Sequence, residues 1–195
     1  MNTKLRLFIA LLIVPFFAGL QSCEKIKDEI NKAAAFDATV DLPAHVVTID
    51  SASYKSSSAM LDWNLLDQWS VEVDLQKIMD DNDISSADFT NGRIDSYSAT
   101  LIYPDFVDFS EFTDQFKVTA ALNPNFADEV QVAQTTAINP GAKTVEFEVN
   151  DVDITSFIKA DIFYLRLWAQ KTNELPASLV NIEFNGEVKI KVNPL

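Results

Sequence analysis

The chain has one cysteine, one histidine and four glycines in 195 residues. A lone cysteine, Cys23, permits no intrachain disulfide. A lone histidine, His45, falls short of the imidazole sets that build most zinc centres. The glycines form neither a dinucleotide-binding nor a phosphate-binding loop, and no serine sits in a G-x-S-x-G context. His45 therefore reads as a strand-edge histidine, not as a general base. Cationic side chains are also scarce, with 15 Lys and Arg against 29 Asp and Glu for a net charge of −14. Nucleic acid, whose phosphates demand a basic surface, is not an expected partner. Anionic lipid is not an expected resting surface for the folded part either. Carboxylates abound, yet a glycosidase pair is defined by geometry that a sequence does not show. No enzyme class has positive support, so a non-enzymatic protein without a cofactor is expected.

Long apolar runs are missing as well. The stretch LFIALLIVPFFAGL, residues 7–20, is uncharged but spans only about 21 Å as a helix, short of the roughly 30 Å bilayer core. It follows a cationic start carrying Lys4 and Arg6, and small residues come after it. That order is the layout of a secretory signal. The residues Leu20, Gln21, Ser22 and Cys23 that close it resemble the lipobox of bacterial lipoproteins. The resemblance implies cleavage before Cys23, a diacylglycerol thioether on its sulfur and acylation of its new amino group. It also explains the lone thiol, which would otherwise gain an exported chain little. Several acyl chains hold a protein firmly in a bilayer where one does not. On this reading residues 1–22 are the signal peptide and residues 23–35 a lipidated, acidic tether. The removed part holds Lys4 and Arg6 and no acid, so 29 acids face 13 bases and the mature chain carries −16.

From residue 36 the hydrophobic period is two. Phe36, Ala38, Val40 and Leu42 share one side of a first run, and Trp69, Val71, Val73 and Leu75 one side of another. Val145, Phe147 and Val149 repeat the pattern. Val180, Ile182, Phe184, Val188, Ile190 and Val192 hold it across Gly186, where a bend or bulge is expected. Further strands are expected at 45–50, 59–65, 94–103, 116–122, 129–135 and 161–170. Strict alternation means strands with one buried face. Many short strands between Pro, Asn, Asp and Ser clusters predict an all-β fold, an antiparallel β-sandwich of immunoglobulin-like or jelly-roll-like type, over residues 36–195. Two short helices are expected, one after Asp74 and one after Asp153, each aspartate capping a helix start. Gly92 and Gly141 read as turn or bulge positions.

Two clusters offer binding chemistry. Asp81, Asp83 and Ser85 match the first three ligand positions of a calcium loop. However, Ser86 stands where such a loop needs glycine and Gly92 where it needs a bidentate glutamate, so a solvated acidic turn is the preferred reading. The stretch DIFYLRLWAQK, residues 161–171, puts Phe163, Leu165 and Leu167 on one face and Ile162, Tyr164, Arg166 and Trp168 on the other. Tyr164, Arg166 and Trp168, with Trp63, are candidates for stacking a sugar or meeting a protein. The plainer reading is a central strand covered on both faces by a loop or a short helix.

The order of lipobox, acidic tether and all-β domain resembles small β-sandwich lipoproteins of Bacteroidota. That likeness implies attachment to the outer membrane, on its periplasmic or surface side, through acylated Cys23. It transfers no other site residue. The expected function is a binding or assembly component of the envelope with a protein partner. The alternative is a carbohydrate-binding surface module using its aromatics.

Overall fold

The computed structural model describes residues 35–56 and 62–195. The expected signal peptide, Cys23 and nearly all of the tether lie outside the described residues. Ten strands follow in chain order: β1 (Phe36–Asp41), β2 (His45–Asp50), β3 (Trp63–Glu72), β4 (Ala87–Tyr103), β5 (Thr113–Ala121), β6 (Val130–Gln134), β7 (Thr144–Glu146), β8 (Glu148–Val149), β9 (Ile162–Lys171) and β10 (Leu179–Pro194). Sheet A runs β1-β10-β4-β7, with β2 also paired to β10, and sheet B runs β3-β9-β5-β6-β8. Every pairing is antiparallel. The molecule is the expected all-β antiparallel sandwich.

The period-two pattern explains the core. On β10 the residues Val180, Ile182, Phe184, Val188, Ile190 and Val192 are buried, and on β9 Phe163, Leu165, Leu167 and Ala169 face them. Between the sheets sits an aromatic cluster in which Phe184 lies within 6.4 Å of Tyr97, Phe116 and Phe147, centroid to centroid. Each such side chain taken out of water contributes roughly 1.5–3 kcal/mol. Burial pushes the Tyr97 phenol far above its usual range.

Three departures from expectation have physical causes. First, the runs expected at 59–65 and 69–75 belong largely to one strand, β3, because a register shift at Leu65/Asp67 absorbs the phase change between them. Residues 57–61 lie outside the described residues. Second, β10 keeps its alternation through Gly186 without a bulge of its own. The extra residues sit on its partner β4, which passes over Ile102, Asp95 and, against Ile190 alone, both Asn91 and Gly92 in the pairing register. Gly186 is required because Tyr97 lies opposite it, and a Cβ there would come 2.4 Å from the tyrosine ring. Third, the 144–149 run serves both sheets: β7 pairs with β4 and β8 with β6, with buried Phe147 at the crossing.

Short helices occur where aspartates supply acceptors. In α2 (Leu75–Asp81) the Asp74 side chain accepts from Lys77 N at 2.8 Å. Before α3 (Thr155–Ile158) Asp153 accepts from Thr155 N at 2.8 Å. Helices stand at both expected positions, but only Asp74 is a cap: the residue before α3 is Ile154, which makes no side-chain cap bond, and Asp153 lies one position further back. A third helix, α1 (Ser51–Ser56), starts after Asp50, which accepts from Ala52 N and Ser53 N. The Asp-x-x-Ser spacing that marks it lies directly behind a strand and carries no apolar helical period.

Candidate functional site

Alternation on β9 sends Tyr164, Arg166 and Trp168 to the outer face of sheet B, opposite buried Phe163, Leu165 and Leu167. The flanking strands complete the surface. In register, Trp168 lies between Leu65 of β3 and Lys117 of β5, and Arg166 between Gln68 and Thr119. The three candidates are thus gathered on one face, and Trp63 joins them from the start of β3.

Two linked units make up this face. In the first, the Lys117 ammonium stands 4.5 Å from the Trp63 ring centroid and 5.2 Å from that of Trp168, a cation between two indoles. Burial lowers the Lys117 pKa from the ordinary lysine range, while the Glu129 carboxylate works the other way. In the second, the Arg166 guanidinium lies 3.7 Å over the Phe126 ring, its Nε donates to Gln68 Oε1 at 3.2 Å, and its Nη1 is 3.7 Å from Glu129 Oε2. Thr119 joins the units: its hydroxyl accepts from Trp168 Nε1 at 3.1 Å and bonds to Glu129 Oε1. Beside them Gln131 donates to Gln134, and Gln134 to Gln115, each at 3.0 Å.

Phe126 belongs to the turn between β5 and β6, with a left-handed backbone (φ 55°), and it is buried. Its ring covers Arg166 and meets Tyr164 edge-on at 6.4 Å. The turn is held by Leu122 N donating to Asp128 and Phe126 N to Asn123 O. The loop reaches Arg166 and Tyr164 through this ring. Trp63, Lys117 and Trp168, like Tyr164 and Arg166, are half-buried, and Leu65 beside them is exposed. Lys117 and Thr119 were legible as outward positions alternating with Phe116, Val118 and Ala120, but nothing in the sequence pairs Phe126 with Arg166. The arrangement gathers a cation, two indoles and a row of amides on one face.

The other candidates behave differently. His45 Nε2 lies 2.9 Å from Asp67 Oδ2, and its ring stacks on Trp69 at 4.3 Å. It sits at a strand start as expected, and it ties β2 of sheet A to β3 of sheet B. Asp81 is engaged by Lys77 one turn back on α2. Asp83 adopts φ 55°, and Asp83 N and Ile84 N donate back to Asp80 O and Met79 O. Asp81, Asp83 and exposed Ser85 thus lie in the stretch that ends α2. Among the described residues no group of three or more His, Cys, Asp or Glu is placed to hold a metal. Nor is any helix among them long and apolar enough to cross a membrane.

No protein-family model matches the chain, and no curated protein matches it. Among solved structures, a Desmodium yellow mottle tymovirus chain is similar at 11% identity and a TM-score of 0.25, with 82% of this chain and 84% of that one covered. A likeness of that size carries no argument here.

Proposed function

We propose that this chain is a non-enzymatic lipoprotein of a bacterial envelope, held to the outer membrane by acylated Cys23, whose β-sandwich binds a partner. The observation that carries the reading is Leu20-Gln21-Ser22-Cys23, with the only thiol of the chain placed directly after a short uncharged run and a cationic start. The acidic balance fits a domain that stays in solvent above the bilayer. Metabolic labelling with an alkyne fatty acid tests it. Wild type takes up label and Cys23→Ser does not; equal labelling of both overturns the anchor.

A second reading, a glycan-binding module, is favoured by one observation: two indoles and a ladder of glutamine amides share the outer face of sheet B. Sugar rings stack on aromatic faces and hydrogen-bond to amides. Glycan-array binding that falls at least tenfold in Trp63→Ala and Trp168→Ala supports this reading. Binding unchanged by both substitutions removes it.

A further inference from the structure

Strand β1 lies at an edge of sheet A, paired with β10 on one side. Leu42 N donates to Gly186 O at 2.8 Å, one step beyond the pairing of Asp41 with Glu187. Bonded and non-bonded positions alternate along an antiparallel ladder. Phe36, Ala38 and Val40 therefore direct their backbone groups to β10. The N–H and C=O groups of Asp37, Thr39 and Asp41 point the other way. Among the described residues no strand pairs with that side.

Helix α2 stands across from this edge. The two bound a groove of about 560 Å³, well inside the roughly 300–1,000 Å³ of ligand clefts. Half-buried Phe36, Ala38 and Val40 and buried Ile78 give it an apolar lining. Asp37, Asp41, Glu72, Asp74 and Asp81 also line it, and the one base among the lining residues, Lys77, is engaged by Asp81. Asp37 meets Lys189 at 3.4 Å and Asp74 caps α2. Asp41 and Glu72 have no cationic partner among the described residues.

We propose that this open edge receives an extended, cationic segment of a partner protein, which adds to sheet A as a further strand beside β1. Main-chain bonds to Asp37, Thr39 and Asp41 supply affinity. Alternation supplies selectivity: apolar side chains of the guest fall on the side of Phe36, Ala38 and Val40, and its Lys or Arg residues fall beside Asp37, Thr39 and Asp41. A second copy of this chain is the wrong occupant. Antiparallel self-pairing of β1 centred on Thr39 would set Asp37 opposite Asp41 twice, in a chain of net charge −14. The inference rests on the reading of the chain as a binding component and specifies the chemistry of its partner.

The test uses the full chain in detergent and a fluorescein-labelled heptapeptide alternating lysine and valine. Fluorescence anisotropy should show saturable binding, at least tenfold tighter than to a glutamate–valine counterpart. Methylating alternate backbone nitrogens, in one of the two possible registers, should weaken it at least tenfold. The double variant Asp41→Lys, Glu72→Lys should do the same while keeping its melting temperature, since both positions are exposed. Equal binding of both methylated peptides would reduce the contact to charge alone and overturn the proposal. So would unchanged affinity in the double variant, or a dimer that the peptide dissociates. Fatty-acid labelling of Cys23 is read separately. A labelled chain that ignores the peptide loses the docking edge only, and an unlabelled chain that binds it loses the anchor only.

Discussion

Strands β9 and β10 are interior strands of their sheets, and their inner faces are nearly interchangeable. Both bury an unbroken alternating set, Phe163 to Ala169 in one and Val180 to Val192 in the other. Their outer faces share nothing. β10 shows water Asn181, Glu183, Asn185, Glu187, Lys189 and Lys191, whereas β9 shows Tyr164, Arg166 and Trp168, each held by aromatic or charged neighbours. Burial of the inner set accounts for the fold and makes no use of the outer one. A charged outer face is what an unoccupied sheet requires. An outer face of indoles and a guanidinium goes beyond that requirement, and only sheet B carries one.

The sharpest break of this comparison is Ile190→Asp. It places an unpaired carboxylate in the centre of the core and should cost about 5 kcal/mol, the whole stability of a domain at the low end of the usual range. A thermal melt close to wild type would mean that the register of β10 is wrong. Next comes Gly186→Ala, whose Cβ meets the Tyr97 ring at 2.4 Å. The ring is packed within the core, so the loss should be roughly 1–3 kcal/mol in a urea titration. An unchanged midpoint would show that Tyr97 does not need the space. Lys189→Asp, one residue from Ile190, exchanges a half-exposed pair with Asp37 for a repulsion and should stay within about 1 kcal/mol of wild type. Only a strand with opposite faces predicts such unlike results at adjacent positions.

The smallest effect separates the outer face of sheet B by pH. The folded pKa of Lys117 is lowered, chiefly by burial. Between that value and the ordinary 10.5 the unfolded chain binds more protons than the folded one. Stability attributable to this group therefore rises with pH across the window and is level below it. Lys117→Met keeps the aliphatic stem between the indoles and should flatten that rise. Parallel pH profiles of melting temperature for the two proteins would contradict the placement of Lys117 between Trp63 and Trp168.

Much of this architecture was legible because strand faces are encoded locally. A residue and its neighbours two positions away share an environment, and Phe163, Leu165 and Leu167 declare theirs without reference to any other strand. The same reasoning places a helix after Asp74 and another after Asp153; Asp74 is a true cap, whereas Asp153 sits one position before the cap Ile154 and bonds to Thr155 N. What was not legible depends on residues distant in sequence. Gly186 looked like a bend in its own strand, and the true reason lies on β4, in Tyr97. The aromatics of β9 were visible, but the ring that lies on Arg166 and meets Tyr164 belongs to Phe126 in another loop. The groove beside β1 is invisible locally because its two walls, β1 and α2, are separated by two strands and a helix in the chain.

The place of β10 in chain order also governs when the molecule can form. It is the last of the ten described strands, yet β1, β2 and β4 all pair with it, and among the described residues β1 and β2 have no other strand partner. Whichever part of the chain forms first, β1 and β2 wait for residues 179–194, whereas β4 can already pair with β7. Their closure comes late, because closing such long loops brings no reward before the shared partner arrives. The first two strands of the fold are therefore among the last to be fixed.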